Sequence, residues 1–229
     1  MRGIMVEYLS FSCFTMVISW YGQACFKLQS GQKIIIIDPF DKKIGLAPPS
    51  TSSADMVLVT HDHFDHNNSG AIKGSPFVVK GAGEYEYQDV RVVGIDSYHD
   101  NAKGKERGSN VIYVVQYEGL RVVHMGDLGQ HELTDEQIDR IGRIDVLLIP
   151  VGSVYTINGK QAAEIVHHVQ PRIVIPMHYK IPSLTIDLET AESFLAEMGA
   201  KGQEPQEKIT VKKKAQQEDE RTEVVVLKV

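Results

Sequence analysis

The segment Thr60-His61-Asp62-His63-Phe64-Asp65-His66-Asn67 concentrates metal-ligand side chains directly after an apolar run at residues 55–60. The apolar run is typical of a buried β-strand. Imidazole and carboxylate groups bind zinc and other first-row divalent ions. Residues two apart in an extended loop point the same way, so His61 and His63 can share one ion. Asp65 and His66 follow in a turn and can point to a second ion. A polar surface loop with solvated histidines is the alternative, but it does not explain four ligand groups within six residues.

Further candidate ligands stand at the ends of other predicted strands. His99 follows the run at residues 90–98, Asp127 closes the segment 124–127, and His178 follows the run at residues 172–177. A two-metal site needs more ligands than one short loop supplies. The sequence therefore favours a two-metal site built from several strand ends.

Short strands dominate the first half of the chain, and helices appear in the second half. The run Ile34–Ile37 is apolar throughout, which predicts a strand buried on both faces and covered by other layers. Capping-box spacing at residues 134–137 predicts a helix start, and helical spacing recurs at residues 162–169 and 188–198. Strands are predicted at residues 17–21, 24–29, 33–38, 55–60, 78–79, 90–95, 111–117, 120–124, 145–151, 172–177 and 223–229. The polar segments 201–207 and 212–221 are interpreted as loops or a mobile hairpin.

Composition and charge exclude several classes of protein. The chain has 229 residues, 42% hydrophobic and 24% charged, as in an ordinary globular protein. Its net charge of −6 lacks the basic excess of nucleic-acid binders, so nucleic acid is not an expected partner. No apolar run approaches the ~20 residues of a spanning helix, so we expect no membrane partner. Two cysteines, Cys13 and Cys25, give no disulfide framework and indicate a cytoplasmic location.

Seven short motifs occur in an order that is itself informative. They are Trp20-Tyr21-Gly22, Ile37-Asp38-Pro39-Phe40, residues 60–66, Gly83-Glu84-Tyr85-Glu86, Tyr98-His99-Asp100, His124-x-Gly126-Asp127 and Pro176-Met177-His178-Tyr179. With this ordered set the chain resembles the metallo-β-lactamase superfamily of metal-dependent hydrolases, from about Met16 to the C-terminus. It looks closest to the compact branch that includes ascorbate-6-phosphate lactonase-like proteins.

The resemblance implies an α/β fold, a four-layer αββα sandwich with the metals at one edge of the two sheets. It implies a first ligand set of His61, His63 and His99, a second of Asp65, His66 and His178, and Asp127 as the bridge between them. Asp38 would support the ligand loop from behind. Where many relatives have histidine in the first turn, this chain has Gln23, so a substrate contact is expected to differ there.

The expected domain organisation is an N-terminal extension over residues 1–15 and one metallo-β-lactamase-like hydrolase domain over residues 16–229. The alternative for residues 1–15 is one more strand or a short ordered arm. A signal peptide is not expected, because Glu7 interrupts the apolar segment and no small-x-small cleavage site follows.

The implied activity is hydrolysis of an ester, lactone or phosphoester bond in a small anionic substrate by a metal-bridging hydroxide. We expect Asp127, His124 and Asp65 to take part in catalysis. His124 is expected to donate a hydrogen bond to a metal ligand or to contact the substrate, rather than to bind a metal ion itself. The expected cofactors are two divalent ions, zinc first, with manganese or iron(II) as alternatives. A metal-dependent nuclease or phosphodiesterase acting on RNA or nucleotides would use the same site and is the alternative function.

The loop at residues 100–108 is the candidate for binding an anionic group. It follows His99 and carries Lys103, Lys105 and Arg107. It is expected to close over a substrate phosphate, with its two glycines allowing movement, and a plain solvated loop is the alternative. The expected partner is a small-molecule substrate, and a homo-oligomer stays open.

Overall fold

Two mixed β-sheets form the frame of the protein, which a computed structural model describes over residues 15–49, 53–213 and 221–229. The first sheet contains β1 (Thr15–Gly22), β2 (Cys25–Ser30), β3 (Lys33–Ile37), β4 (Met56–Val59), β5 (Phe77–Lys80) and β12 (Lys208–Lys212). Its strand order is β12-β1-β2-β3-β4-β5. The second sheet contains β6 (Gly83–Tyr87), β7 (Val90–Tyr98), β8 (Ser109–Tyr117), β9 (Leu120–His124), β10 (Val146–Pro150), β11 (Ile173–Met177) and β13 (Glu223–Val224). Its order is β13-β11-β10-β9-β8-β7-β6.

The run Ile34–Ile37 shows why the sheets must be covered on both faces. Ile35 and Ile37 lie in the large core between and behind the sheets, whereas Ile36 lies in a second apolar cluster on the outer face of the first sheet. All three are at most 2% exposed. Because successive side chains of a strand point to opposite faces, this confirms the prediction of a strand buried on both sides.

Within the described ranges three helices complete the layers: α1 (Asp135–Ile141), α2 (Gly159–Val169) and α3 (Glu192–Glu197). The capping box predicted at the start of α1 is confirmed, with Thr134 and Gln137 each accepting a backbone N–H from the other. Ile165 of α2 and Phe194 of α3 belong to the large core. The outer face of the first sheet is covered mainly by short 3-10 turns at Lys42–Ile44 and Ser69–Ala71 and by Leu184 and Leu188. This is the predicted αββα sandwich, with one outer layer that is almost free of helix.

The last third of the chain differs from the prediction in three places. The helix expected over residues 188–198 is limited to α3, because Leu188 packs in the outer apolar cluster instead of on a helix. The strand β12 was not predicted, and it pairs antiparallel with β1. The final strand ends at Val224 rather than at residue 229, since residues 226 and 228 form backbone hydrogen bonds with Gln206 instead.

The two predicted segments with uncertain conformation lie mostly outside the described residues. Of the expected extension over residues 1–15, the structure describes only Thr15, which begins β1 and pairs with Lys212. Residues 214–220 of the expected loop or hairpin also lie outside the described residues. Within the described ranges, no helix has the length and apolar content needed to cross a membrane.

The strand directions bring five functional segments to one edge of the sandwich. Strands β3 and β4 are parallel, and so are β9, β10 and β11. Strand β8 pairs antiparallel with both β7 and β9, so β7 runs in the same direction as β9. Strands that run the same way end at the same edge of their sheet. The segments that follow β3, β4, β7, β9 and β11 carry Asp38, residues 60–67, His99, Asp127 and His178.

Candidate metal centre

The structure brings all seven predicted ligand side chains together in two groups. The first group consists of His61, His63 and His99, and the second of Asp65, His66, Asp127 and His178. Within each group the potential ligand atoms lie within 4.8 Å of one another. The side chains come from segments up to 117 residues apart in sequence, from His61 to His178, so the tertiary fold and not local sequence assembles them.

A tight turn after β4 divides the motif between the two groups. The backbone N–H groups of His66 and Asn67 both donate to the carbonyl of His63, at 2.9 and 3.1 Å. His61 and His63 belong to the first group, and Asp65 and His66 to the second. The two groups adjoin, since the ring centroids of His61 and His66 lie 4.2 Å apart, against 4.5 Å for His61 and His63. The division is the one that the spacing of the motif predicts.

Asp127 contacts members of both groups through a single oxygen. Its Oδ2 lies 3.0 Å from Nε2 of His178 and 3.3 Å from Nε2 of His66 in the second group. The same oxygen lies 3.3 Å from Nε2 of His99 in the first group. This central position is the one that a bridging ligand requires.

Asn110 holds the backbone of Asp127, a role that the sequence did not reveal. The Asp127 N–H donates to Asn110 Oδ1 at 2.9 Å, and Asn110 Nδ2 donates to the carbonyl of Met125 at 2.9 Å. A Cβ on Gly126, whose φ is +56°, would lie 2.2 Å from Asn110 Oδ1, so only glycine fits beside this asparagine. The available signal was a polar residue directly before the apolar run at residues 111–115 of β8.

Asp38 supports the ligand loop, as the resemblance implied. Its fully buried carboxylate accepts the backbone N–H and the hydroxyl of Thr60, at 2.8 and 2.7 Å. It also lies 2.9 Å from Nδ1 of His66. The interaction leaves Nε2 of His66 to face the second group.

The expected catalytic role of His124 is not supported by its position. The side chain is fully buried, and its Nε2 lies 2.8 Å from the carbonyl of Ala24. Its Nδ1 accepts the backbone N–H of Gly126 at 3.0 Å. Both ring nitrogens are therefore engaged by main chain, so His124 positions the turn before Asp127 and is not free to contact a substrate.

The side chain of Gln23 contacts a candidate ligand. It is fully buried, and its Nε2 donates to Oδ2 of Asp65 at 2.9 Å. The expectation that this position changes a substrate contact stays a prediction.

Burial and mutual charge set the protonation of the metal-free site. Burial, reinforced by His66, lowers the pKa of His61 to about 2. Burial would raise the pKa of Asp127, but His178 and His66 hold it well below its usual range. Burial would also raise the pKa of Asp65, but the interaction with His66 outweighs burial and lowers this pKa to about 2. At neutral pH His61 is thus neutral and both carboxylates are ionised, as a divalent cation requires. Burial would lower the pKa of His66, but the surrounding carboxylates raise it well above its usual range, so His66 has to release a proton when an ion binds.

Several atoms that face the two groups have no hydrogen-bond partner within the described part of the chain. They are Nε2 of His61, Nε2 of His66 and Oδ1 of Asp127, all buried. A buried polar atom without a partner is unfavourable unless something else satisfies it. Nitrogen and carboxylate oxygen donors in groups of three and four suit zinc-like divalent ions. The residues present therefore fit the metal ions that the sequence implied.

The basic loop at residues 100–108 is held by internal hydrogen bonds, and its expected closure over a substrate phosphate stays a prediction. The Asp100 carboxylate accepts four backbone N–H groups of the loop, at 2.7 to 3.0 Å, and these bonds lower its pKa. Gly104 and Gly108 have φ of +77° and +90°, values that build compact turns. The Arg107 guanidinium lies 4.5 Å from the ring centre of Tyr155. The loop is therefore a compact turn with internal hydrogen bonds, in which Arg107 contacts Tyr155.

Comparisons with known proteins agree with this geometry. Residues 17–178 match the family described as Beta-lactamase superfamily domain. A metal-dependent hydrolase from Thermoplasma acidophilum is 32% identical over 81% of this chain and 92% of its own length. A metal-dependent hydrolase from Pyrococcus furiosus is 29% identical over 79% and 92%. A crystal structure from Thermotoga maritima, assigned to the Zn-dependent hydrolases of the metallo-β-lactamase superfamily, superposes with a TM-score of 0.73 at 35% identity and covers 93% of this chain and 98% of that one.

The chain belongs to the metallo-β-lactamase superfamily of metal-dependent hydrolases. The match of the family covers the four segments that follow β4, β7, β9 and β11, and so includes all seven candidate ligands.

Proposed function

We propose that the protein hydrolyses an ester, lactone or phosphoester bond in a small anionic substrate with two divalent ions, zinc first. The observation that carries the proposal is the contact of one oxygen, Asp127 Oδ2, with histidines of both ligand groups. The first group would hold one ion, the second group the other, and Asp127 would bridge them. Two ions held there would supply a water nucleophile at neutral pH and polarise the bond to be cleaved.

The charge of the site favours an anionic substrate. Asp65 and Asp127 are the carboxylates among the seven candidate ligands, and they contribute −2 against +4 from two divalent ions. A locally positive site on a chain of net charge −6 attracts a small anion, while the surrounding surface repels a long polyanion. This distribution of charge favours a small molecule over RNA as the substrate.

Arg107 is the residue that we assign to the anionic group of the substrate. Its loop follows His99 of the first group, and the loop of Tyr155 packs on His178 of the second group. At Gly152 a Cβ would lie only 2.1 Å from the carbonyl of His178, which shows how closely this second loop approaches. The stacked pair of Arg107 and Tyr155 therefore joins loops that neighbour one candidate ligand from each group. Cation–π stacking restricts the guanidinium and leaves its N–H donors available.

In this proposal residues 16–229 form one hydrolase domain that acts in the cytoplasm on a small molecule, without a membrane or nucleic-acid partner. The test is a panel of substrates with metal-loaded protein: neutral and anionic nitrophenyl esters, sugar lactones with and without phosphate, nitrophenyl phosphodiesters and single-stranded RNA. The proposal predicts turnover of small anionic esters, lactones or phosphoesters. Cleavage of RNA without turnover of any small substrate would contradict it and support the nuclease alternative.

A further inference from the structure

Gln23 occupies a turn position that is unfavourable for most residues. It is the first residue of the two-residue turn Gln23-Ala24 between β1, which ends at Gly22, and β2, and its φ is +52°. A positive φ at the first position of a two-residue hairpin turn favours glycine. The long side chain of Gln23 is nevertheless fully buried. A backbone conformation of this kind persists where other contacts over-determine it.

Those contacts reach two members of the second ligand group. The side-chain Nε2 of Gln23 donates to Oδ2 of Asp65 at 2.9 Å. The backbone carbonyl of Gln23 accepts the backbone N–H of His178 at 3.0 Å. That carbonyl also accepts the indole N–H of Trp20 at 3.0 Å, which fixes the turn itself. One residue thus ties the first hairpin to both Asp65 and His178.

The oxygen that Gln23 contacts is the one that faces the second group. Oδ2 of Asp65 lies 3.4 Å from Nε2 of His66. Because an ionised carboxylate only accepts hydrogen bonds, the amide must turn its nitrogen toward Asp65. The amide oxygen, Oε1, is then left buried and without a hydrogen-bond partner in the described part of the chain. The side-chain amide of Gln23 therefore points its nitrogen at Asp65 although its own oxygen, Oε1, is left without a hydrogen bond in the described part of the chain.

We propose that Gln23 is a positioning residue for the second metal ion, acting through Asp65. The inference rests on the proposed two-metal function of the site. A neutral N–H donor holds the carboxylate in place without adding a positive charge that would compete with a cation. Outer-shell hydrogen bonds to ligating carboxylates typically change metal affinity by 10–100-fold.

The direct test is metal binding by the full-length chain, measured by titrating the metal-free protein with Zn²⁺ against a chromophoric chelator. Gln23→Met keeps the length of the side chain and removes the donor. We expect it to weaken the binding of one of the two Zn²⁺ ions by about 10–100-fold and to leave the affinity for the other unchanged. Gln23→His keeps an N–H donor at a similar reach and is expected to retain most of that affinity.

The matched control is Gln137→Met, which removes another buried glutamine, one that lies on α1 and donates to the carbonyl of Asp96. It should leave both Zn²⁺ affinities at the wild-type value. The inference is overturned if Gln23→Met binds both ions as wild type does, or if Gln137→Met loses the second ion equally.

A second comparison applies if Gln23→Met does not fold. Gln23→Glu places a carboxylate opposite Asp65. If this variant binds the second ion more weakly than Gln23→His does, the inference is supported. Equal affinities of the two variants for that ion overturn it. A wild-type chain that binds only one Zn²⁺ would instead overturn the two-metal function itself, which distinguishes the two failures.

Discussion

The carboxylate of Asp38 lies 2.9 Å from Nδ1 of His66, where the C-terminal ends of the parallel strands β3 and β4 lie side by side. A carboxylate behind a ligating histidine fixes the orientation of the ring and raises its basicity. Burial would lower the pKa of His66, but Asp127, Asp65 and Asp38 together raise it well above its ordinary value. Asp38 thus fixes the orientation of the His66 ring before any ion binds.

Asp38→Ala should destabilise the metal-free protein by about 3 kcal/mol, because it removes three buried hydrogen bonds and leaves the Thr60 N–H unsatisfied. Urea denaturation of both proteins measures the change. The control is Asp55→Ala in the same sheet, where a half-buried carboxylate accepts the N–H of Ile34. We expect about 1 kcal/mol or less there. Equal losses of stability in the two variants would contradict the prediction that Asp38 stabilises the fold more than Asp55 does.

His124 should make the metal-free protein sensitive to acid. Burial lowers the pKa of its imidazole in the folded chain. In the unfolded chain it protonates near pH 6.5, so the unfolded state binds more protons below that pH and stability falls as the pH falls. His124→Gln should reduce the slope of unfolding free energy against pH by up to about 1.4 kcal/mol per unit between pH 6.5 and 5.

The slope is measured by urea denaturation at several pH values, and contributions shared by wild type and variant cancel in the difference. His131→Gln changes an exposed histidine that is solvated in the folded and unfolded chains, and we expect an unchanged slope. A His124→Gln slope equal to that of wild type would contradict the prediction.

Arg107→Met should raise KM for anionic substrates about 10-fold, the equivalent of one charge-assisted hydrogen bond, and leave KM for neutral analogues unchanged. Lys105→Met removes a charge from the same loop at an exposed position without a stacking partner in the described structure, and should have a smaller effect. Steady-state kinetics on paired anionic and neutral esters provides the comparison. If replacing Lys103, Lys105 and Arg107 together affects both substrate types equally, the loop has no role in charge recognition.

Asp127→Ala should reduce hydrolysis to background while the fold survives, because it removes the only oxygen that contacts histidines of both groups among the described contacts. Asp62→Asn changes an exposed carboxylate of the ligand loop and should keep near wild-type activity. Initial rates with saturating metal, together with circular dichroism, give the result. An Asp127→Ala protein with near wild-type kcat would refute the assignment of the bridge.

The candidate ligands could be predicted because each stands directly after a recognisable apolar strand. The strand at residues 56–59 leads to His61, and the strand at residues 173–177 leads to His178. The ends of parallel strands lie at one edge of a sheet, so the position of these residues at strand ends favoured one shared site. The ordered motifs then indicated the fold.

Contacts between residues that are far apart in the sequence could not be predicted from local sequence patterns. Gln23 meets Asp65 across 42 residues, and Asn110 meets Asp127 across 17. His124 has the same spacing from Asp127 whether its ring faces the site or the backbone, so the sequence could not decide its role. The strand β12 has only two buried apolar residues and depends on pairing with β1, which local periodicity does not reveal.

The central claim is that one chain holds two divalent ions in ligand groups joined by Asp127. Elemental analysis of protein saturated with Zn²⁺ and freed of unbound metal tests it most directly. The account predicts close to two zinc ions per chain, since the two groups supply seven ligand side chains. Saturation at no more than one ion per chain would contradict the account and leave a mononuclear site.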